Sequence, residues 1–142
     1  MNFLDERLPD RFWAKCIPEP NSGCWLWIGC TNPLNGYGQV WNGKRQTQSH
    51  RFSYLSLVGP IPSGLEIDHF VCSERTCCNP AHLKAVTHRA NTLRSGSFVA
   101  ANSNKVACPQ GHPYNEVNTR LNRGSRQCRV CHRERARRSR AA

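Results

Sequence analysis

The cysteines constrain this chain more than any other residue type. Nine cysteines occur among 142 residues, together with six histidines. Only 38% of the residues are hydrophobic, so the chain can bury only a modest core and needs cross-links to hold a fold. The cysteine count is odd, and a mixture of thiol and imidazole suits tetrahedral zinc. We therefore expect a small domain that is stapled by metal.

The compartment that the sequence predicts agrees with this reading. No stretch approaches the eighteen apolar residues of a transmembrane helix, and the opening MNFLDERLPD lacks the basic and apolar regions of a signal peptide. We expect a cytoplasmic chain without a membrane partner. Thiols stay reduced in the cytoplasm, which favours metal binding over disulfides.

One set of ligands with zinc spacing lies near the carboxyl end. Two short pairs, each able to form a tight knuckle, follow one another: Cys108 and His112, then Cys128 and Cys131. Four such ligands close a tetrahedron, so this spacing predicts a structural zinc site. His132 lies beside it in sequence, and we expect it to face solvent or DNA.

A second set lies in LEIDHFVCSERTCCNPAHLKAVTHRANTLR, residues 65–94. Cys72, Cys77 and His82 supply three zinc ligands here, so the fourth must come from elsewhere in the chain. Cys24 is the preferred fourth ligand, because an upstream ligand closes a long loop in a chain with a small core. The alternatives are Cys30 and Cys16.

Two choices within this stretch stay open. Cys77 and Cys78 are adjacent, so either can be the ligand, and the other is then a small buried hydrophobic side chain. His82 can serve zinc or a reaction, and the flanking cysteines favour zinc.

The same stretch carries side chains suited to phosphodiester hydrolysis, namely Asp68, His69, Asn79 and Asn91. That reaction needs a base to activate water and a divalent cation to stabilise charge on the phosphate. Histidine suits the base, whereas Asp and Asn oxygens suit a hard cation such as Mg²⁺. Asp68 and His69 are neighbours on a predicted strand, so they point to opposite faces unless a bulge brings them together.

The amino-terminal half predicts short elements. Residues 8–16 read as a helix with two aromatic side chains turned inward. GYGQVW, the turn Asn42-Gly43 and KRQTQSHR predict a β-hairpin, and SHRFSYLSLVG can begin a helix that ends at Gly59-Pro60. We expect three tryptophans in the core: Trp25, Trp27 and Trp41.

The central and carboxyl-terminal parts predict a two-part organisation. Residues 65–70 read as a strand and THRANTLRS as a helix with Thr87 as N-cap, while PAHLKAV between them is ambiguous. The small polar residues 95–107 predict a linker. We therefore expect a core domain, residues 1–96, and an extension, residues 97–142.

The segment IDHFVCSERTCCNPAHLKAVTHRAN resembles the HNH endonucleases, also called His-Me finger or ββα-metal nucleases, in the branch with a zinc-binding cysteine loop. That branch includes His-Cys box homing endonucleases and small phage HNH proteins, to which CWLWIG…GYGQVW…HRFSYLSLVGPIPSGLEIDH is also similar. The resemblance spans residues 11–94. It implies an α+β fold, a small zinc-stabilised ββα-metal domain with a basic zinc-knuckle extension. It also implies a DNA endonuclease, in the host cytoplasm if a phage encodes the chain.

The resemblance assigns roles to individual residues. His69 matches the general base. Asp68 and Asn91 match the ligands of a catalytic Mg²⁺ or Mn²⁺, and Asn79 matches a residue that shapes the loop. About two structural zinc ions per chain are then expected, one in the carboxyl-terminal set and one held by Cys24, Cys72, Cys77 and His82.

The charge of the chain indicates its partner. The net charge is +11, which points to a polyanion and first of all to nucleic acid. Nine arginines lie between Arg120 and Ala142, where Glu134 is the one acid. We expect double-stranded DNA as the partner, contacted through Arg51, Arg126, Arg129, Arg133, Arg137 and Arg138.

Two other functions stay open on the sequence alone. A non-catalytic zinc-dependent DNA-binding protein would explain the charge and the cysteines, but it would leave Asp68 and His69 without a role. An RNA-directed nuclease is the other, because arginines do not distinguish DNA from RNA. A homodimer is expected if both strands are cut symmetrically.

Overall fold

The computed structural model describes residues 3–141, and its mixture of helices and short strands confirms the α+β class. Within those residues, no helix is both long and apolar enough to cross a bilayer. The chain divides into two compact units, Met1–Asn91 and Thr92–Ala142. The elements follow in chain order: α1 Asp10–Trp13, β1 Cys16–Pro18, β2 Trp25–Trp27, β3 Gln39–Trp41, β4 Gln46–Gln48, α2 Ser49–Leu57, β5 Leu65–His69, β6 Leu83–Thr87, α3 His88–Arg94, α4 Phe98–Ser103, β7 Thr119–Asn122, β8 Ser125–Cys128 and α5 Arg129–Ala141.

The core of the first unit is built around aromatic rings. The predicted first helix is confirmed in a shorter form, and it buries Phe12 and Trp13. Strand β2 pairs antiparallel with β1 and alternates so that Trp25 and Trp27 are buried. Gly38 approaches the Trp27 ring so closely that any side chain there would clash with it. The buried cluster consists of Leu8, Phe12, Trp13, Cys16, Trp25, Trp27, Val40, Leu57 and Cys78.

The predicted hairpin forms between β3 and β4, which pair antiparallel with Val40 opposite Thr47. Gly43 in the turn has a φ of +96°, a conformation that glycine adopts without strain. The expectation of a buried Trp41 is wrong. Trp41 is 58% exposed, because the pleat turns its neighbour Val40 into the core and Trp41 to the other face.

The centre of the first unit is a ββα arrangement. Strand β5 pairs antiparallel with β6 from Leu65 opposite Thr87 to His69 opposite Leu83, and helix α3 follows β6 directly. The predicted N-cap is confirmed, since the Thr87 hydroxyl accepts from the Ala90 amide at 3.2 Å. The ambiguous segment PAHLKAV is a 3-10 turn, Pro80–His82, followed by β6.

The second unit combines a hairpin with two helices. Strands β7 and β8 pair antiparallel, and α5 continues from β8 as the predicted basic helix. Residues 95–107, which were expected to form a linker, contain α4. Ser97 begins this helix, since its hydroxyl accepts from the Ala100 amide at 3.3 Å and caps it.

Candidate functional site

The first unit gathers four metal-ligating side chains from distant parts of the sequence. The ligand atoms all lie within 4.8 Å of one another, and the set is Cys24, Cys72, Cys77 and His82. His82 Nδ1 is 3.5 Å from Cys24 Sγ and 3.6 Å from Cys77 Sγ. Zinc bonds of about 2.3 Å to sulfur and about 2.0 Å to nitrogen at the tetrahedral angle imply an S···N separation of about 3.5 Å. We call this set the loop cluster, and its geometry could hold a zinc ion.

Local hydrogen bonds hold the loop cluster in place. Asn79 Oδ1 accepts from the Ala81 amide at 2.9 Å and caps the 3-10 turn that carries His82. Asn79 Nδ2 donates to the carbonyl oxygen of Gly23 at 2.6 Å, so the same side chain also fixes the backbone just before Cys24. Asn79 therefore links the turn that carries His82 to the backbone before Cys24.

The structure distinguishes the cysteines between which the sequence left the choice of ligand open. Cys77 belongs to the loop cluster, whereas Cys78 lies fully buried in the aromatic core. Cys16 lies in that core as well, and Cys30 is exposed. Cys24 is thus the upstream cysteine that the fold brings to the loop.

The electrostatics of the loop cluster favour a bound cation. Burial raises the pKa of the Cys72 and Cys77 thiols above the ordinary value. Thiolates crowded into a buried space repel one another and lose hydration, whereas a bound divalent cation stabilises them and lowers the pKa of each ligand. The donor set therefore fits a metal ion and not a set of free thiols.

The second unit holds a separate set of four, which we call the knuckle cluster: Cys108, His112, Cys128 and Cys131. Cys108 Sγ lies 3.5 Å from His112 Nδ1 and 3.6 Å from Cys131 Sγ, again close to zinc geometry. Burial alone would raise the pKa of Cys128, but hydrogen bonds from the Cys131 amide and from Asn118 hold that pKa at about 6. His132 is outside the cluster, 3.3 Å from the Arg120 guanidinium.

His69 lies at the end of β5 and is fixed by the cysteine loop. Its Nε2 is 3.0 Å from the carbonyl oxygen of Cys77. A carbonyl only accepts, so Nε2 carries the hydrogen and Nδ1 carries the lone pair. Burial lowers the pKa of the imidazole, and the Cys77 carbonyl and Asp68 oppose that shift. The ring is therefore a neutral acceptor of protons near neutral pH.

Two further rings pack against His69. Tyr37 stacks on the His69 ring with 5.9 Å between centroids, and His50 lies 4.9 Å from both rings. His50 is 2% exposed, and its Nδ1 has no hydrogen-bond partner among the described residues. Burial, and then His69 and Arg51, lower the pKa of His50 to about 3, so it is neutral. These rings fix the orientation of His69 by packing.

Asp68 lies on the other face of β5. The ladder between β5 and β6 runs without a bulge, so Asp68 and His69 alternate as neighbours on a strand do. Asp68 shares its face with Glu66, two residues earlier. Glu66 Oε2 accepts from Asn91 Nδ2 at 3.0 Å, and Glu66 Oε1 lies 2.9 Å from His88 Nδ1. Helix α3 thus presents Asn91 to the face of the strand that carries Asp68.

Glu66 is a site residue that the sequence pattern did not reveal. Hydrogen bonds from Asn91 and then His88 lower the pKa of Glu66, so it is an anion that orients both side chains. With its nitrogen bound to Glu66, the Asn91 amide turns its oxygen away from that carboxylate. The only signal in the sequence was the i, i+2 spacing of Glu66 and Asp68 on a predicted strand.

The arginines differ in what they already contact. Arg126 donates to two carbonyl oxygens at the end of α4, at 2.5 and 2.9 Å, and lies 4.8 Å from the Tyr114 ring centroid. It therefore braces the second unit. Arg129 Nε donates to the Thr119 carbonyl at 3.3 Å, and Arg51 is half-buried on α2. Three other exposed members of the predicted set lie further along α5: Arg133, Arg137 and Arg138.

Comparison with known proteins identifies the class. A family model described as HNH endonuclease matches residues 48–93, from the start of α2 into α3. That segment includes Asp68, His69 and Asn91 together with every loop-cluster ligand except Cys24. The chain belongs to the HNH endonuclease family. No solved structure matches it.

The similar proteins come from phages. Protein 2.8 of Escherichia phage T7 is 38% identical over 54% of this chain and 51% of its own length. The uncharacterized gene 5.3 protein of Enterobacteria phage T3 is 31% identical over 52% of this chain and 78% of its own length. Protein 7.7 of phage T7 is 39% identical over 49% and 52%. The chain thus spans about half the length of the two T7 proteins.

Removing one thiol from the loop cluster should remove one metal ion. We expect about two zinc ions per wild-type chain, one for each cluster. Cys77→Ser should retain about one and lower the thermal stability of the first unit, because metal binding contributes to folding free energy. Elemental analysis and thermal unfolding measure both effects. Cys30→Ser is the control, since Cys30 is exposed and outside both clusters. Two ions in Cys77→Ser would contradict the assignment.

Proposed function

We propose that this chain is a metal-dependent endonuclease that hydrolyses phosphodiester bonds in double-stranded DNA. The observation that carries the proposal is the hydrogen bond from His69 to the Cys77 carbonyl, which leaves a neutral imidazole with its basic nitrogen available to a substrate. Membership of the HNH endonuclease family supports the reaction class. The loop and knuckle clusters are proposed to hold structural zinc.

His69 is proposed to act as the general base. A water molecule gives its proton to His69 Nδ1 as its oxygen attacks the scissile phosphorus. The Cys77 carbonyl keeps the ring in one tautomer and stabilises the positive charge that the ring gains. Tyr37 and His50 hold the ring plane, so little reorientation is needed during the reaction.

Asp68 and Asn91 are proposed to hold the catalytic cation, Mg²⁺ or Mn²⁺. A carboxylate and an amide oxygen are donors that such hard ions prefer. Glu66 supports this fit because it binds the Asn91 nitrogen and turns the amide oxygen outward. A cation held there would neutralise charge on the phosphate and on the 3′ oxygen that leaves.

The alternation of Asp68 and His69 suits an in-line displacement. In such a reaction the attacking water and the leaving oxygen lie on opposite sides of the phosphorus. A phosphate at the end of β5 can therefore contact His69 on one side of the strand. A cation held by Asp68 and Asn91 would contact the same phosphate on the other side. The unbroken ladder therefore supports two separate tasks for these neighbours.

The exposed arginines of α5 are proposed to contact DNA phosphates. Arg129, Arg133 and Arg137 recur every fourth residue and share one helix face. Half-buried Arg51 follows His50 on α2, so a phosphate near His69 is within its proposed reach. Phage-encoded relatives support action in a host cell.

Replacing the proposed base should abolish cleavage without unfolding the chain. His69→Ala should lower the rate of plasmid cleavage in Mg²⁺ by about 100-fold or more, the usual contribution of a general base. DNA binding and zinc content should stay unchanged. His132→Ala is the matched control, because that histidine is exposed and outside both clusters. Cleavage by His69→Ala at the wild-type rate would refute the role, and competing RNA in the same assay tests the choice of polymer.

Removing Glu66 should weaken the response to Mg²⁺. Glu66→Ala releases the Asn91 amide, so we expect the Mg²⁺ concentration for half-maximal cleavage to rise about tenfold, as for other supporting residues of metal sites. Glu66→Gln keeps an acceptor oxygen and should restore part of the effect. Glu116→Ala removes an exposed acid from the second unit and should change nothing. An unaltered Mg²⁺ titration in Glu66→Ala would exclude this role.

Neutralising α5 should flatten the salt dependence of DNA binding. Replacing Arg133, Arg137 and Arg138 with Gln should reduce the slope of log K against log salt by about 0.9 for each phosphate that the helix no longer neutralises. Binding titrations at several salt concentrations measure the slope. A triple variant of Arg11, Lys15 and Lys105 removes the same charge elsewhere and should leave the slope unchanged. Equal effects of the two variants would contradict a specific role of α5.

A further inference from the structure

The β3–β4 hairpin presents a polar face that the core does not explain. The register sets Gln39 opposite Gln48 and Trp41 opposite Gln46, so these four side chains share one face. The other face carries Val40, which is buried. Trp41 is a large aromatic side chain that is 58% exposed among amides. Such a face offers hydrogen-bonding groups and apolar contact to a partner.

The charge around the hairpin selects the partner. Lys44 and Arg45 are exposed at the turn, and Arg51 follows β4 closely. No acidic residue occurs in the sequence between Glu19 and Glu66. A face of amides and an exposed tryptophan, tipped by two cations and with no acid within the hairpin itself, is complementary to a polyanion.

Both ends of the hairpin are anchored at the proposed base. Tyr37 precedes β3 by two residues and stacks on His69, while His50 follows β4 by two residues and lies 4.9 Å from the same ring. The ribbon therefore starts at the reaction centre. From Tyr37 to the turn is five residues, or about 16 Å at about 3.3 Å per residue. That length equals about five base pairs of duplex at 3.4 Å each.

We propose that the β3–β4 hairpin lies in the major groove of double-stranded DNA beside the scissile phosphate and selects the cleavage sequence. The proposal rests on the proposed nuclease function. The major groove is wide enough for a two-stranded ribbon, and glutamine pairs with the N6 and N7 edge of adenine. Trp41 adds apolar contact, which thymine offers through its methyl group. Lys44 and Arg45 contact phosphates at the far edge of the groove.

The test measures sequence-specific binding separately from cleavage. Full-length protein is used without Mg²⁺, and bound duplexes are selected from a pool with random sequence and then sequenced. We expect wild type to enrich adenine or thymine at defined positions. Gln46→Ala should lose at least about fivefold of the preference at one position, since a bidentate amide–adenine contact discriminates by that factor or more. A pool without enrichment, or an unchanged motif in Gln46→Ala, overturns the proposal.

Matched variants distinguish this surface from general charge or packing. Trp41→Ala should weaken binding to the selected duplex, whereas Ile28→Ala, an apolar residue of equal exposure at 59%, should not. Lys44→Ala/Arg45→Ala should weaken binding more than Arg11→Ala/Lys15→Ala, which removes the same charge from the same unit. Retained zinc content shows that each variant is folded. Equal losses within either pair overturn the proposal.

Two further outcomes distinguish the hairpin proposal from the nuclease proposal. If wild type fails to cleave but its selected motif still depends on Gln46, the hairpin proposal stands and the nuclease proposal falls. If Trp41→Ala weakens binding to single-stranded poly(dT) and leaves duplex binding unchanged, the surface stacks single-stranded bases, and the groove proposal is overturned. In cleaving wild type, the selected motif should lie within about five base pairs of the cut.

Discussion

The first unit depends most on Cys77, because the side chain and the backbone carbonyl of this residue contact two different sites. Its sulfur belongs to the loop cluster with Cys24, Cys72 and His82, while its carbonyl oxygen fixes the ring of His69. The next residue, Cys78, donates its amide to Trp25 and buries its thiol in the core. A metal ion in the cluster would therefore set the position of the histidine through one residue. The loop cluster and the orientation of the His69 ring are therefore coupled through the covalent bonds of Cys77.

The two units differ in how their charge is distributed and in how much core they bury. The first unit has an aromatic core, and its polar groups converge on β5. Helix α5 of the second unit buries no residue, and six of its 13 residues are arginines, so its own hydrophobic contribution is small. A metal ion in the knuckle cluster at the start of α5 would supply a cross-link that stabilises such a helix. Positive charge alone does not identify a contact with DNA, since Arg126 uses its guanidinium to brace its own unit.

Local patterns in the sequence were sufficient where neighbouring residues decide the structure. The Asn42-Gly43 turn, the Thr87 cap and the pairing of short ligand spacings each depend on a few adjacent residues, and each lies where predicted. Loop closure favoured an upstream cysteine but could not decide the choice between Cys24 and Cys30. That choice depended on the fold bringing residues that are 58 positions apart into contact.

The surroundings of Trp41 and of His69 could not be read from the sequence, because packing partners are not encoded by spacing. Trp41 is a large apolar residue of the kind that usually lies in a core. The hairpin packs against the core through the opposite face, which carries Val40. Tyr37 and His50 surround His69 from separate elements, so no linear motif joins the three. Ser97 formed a helix in a segment whose small residues favoured a linker, because one cap outweighed a weak propensity.

The upstream position of Cys24 also limits how this fold can be inherited. The segment that matches the family model begins at residue 48, so it contains three members of the loop cluster and none of the buried tryptophans. A recombination event that moved only this segment would transfer the family segment without the fourth cluster cysteine, Cys24, and without the aromatic core. Any such exchange would have to carry the amino-terminal part with it. The smallest unit that can be exchanged is therefore larger than the motif that identifies it.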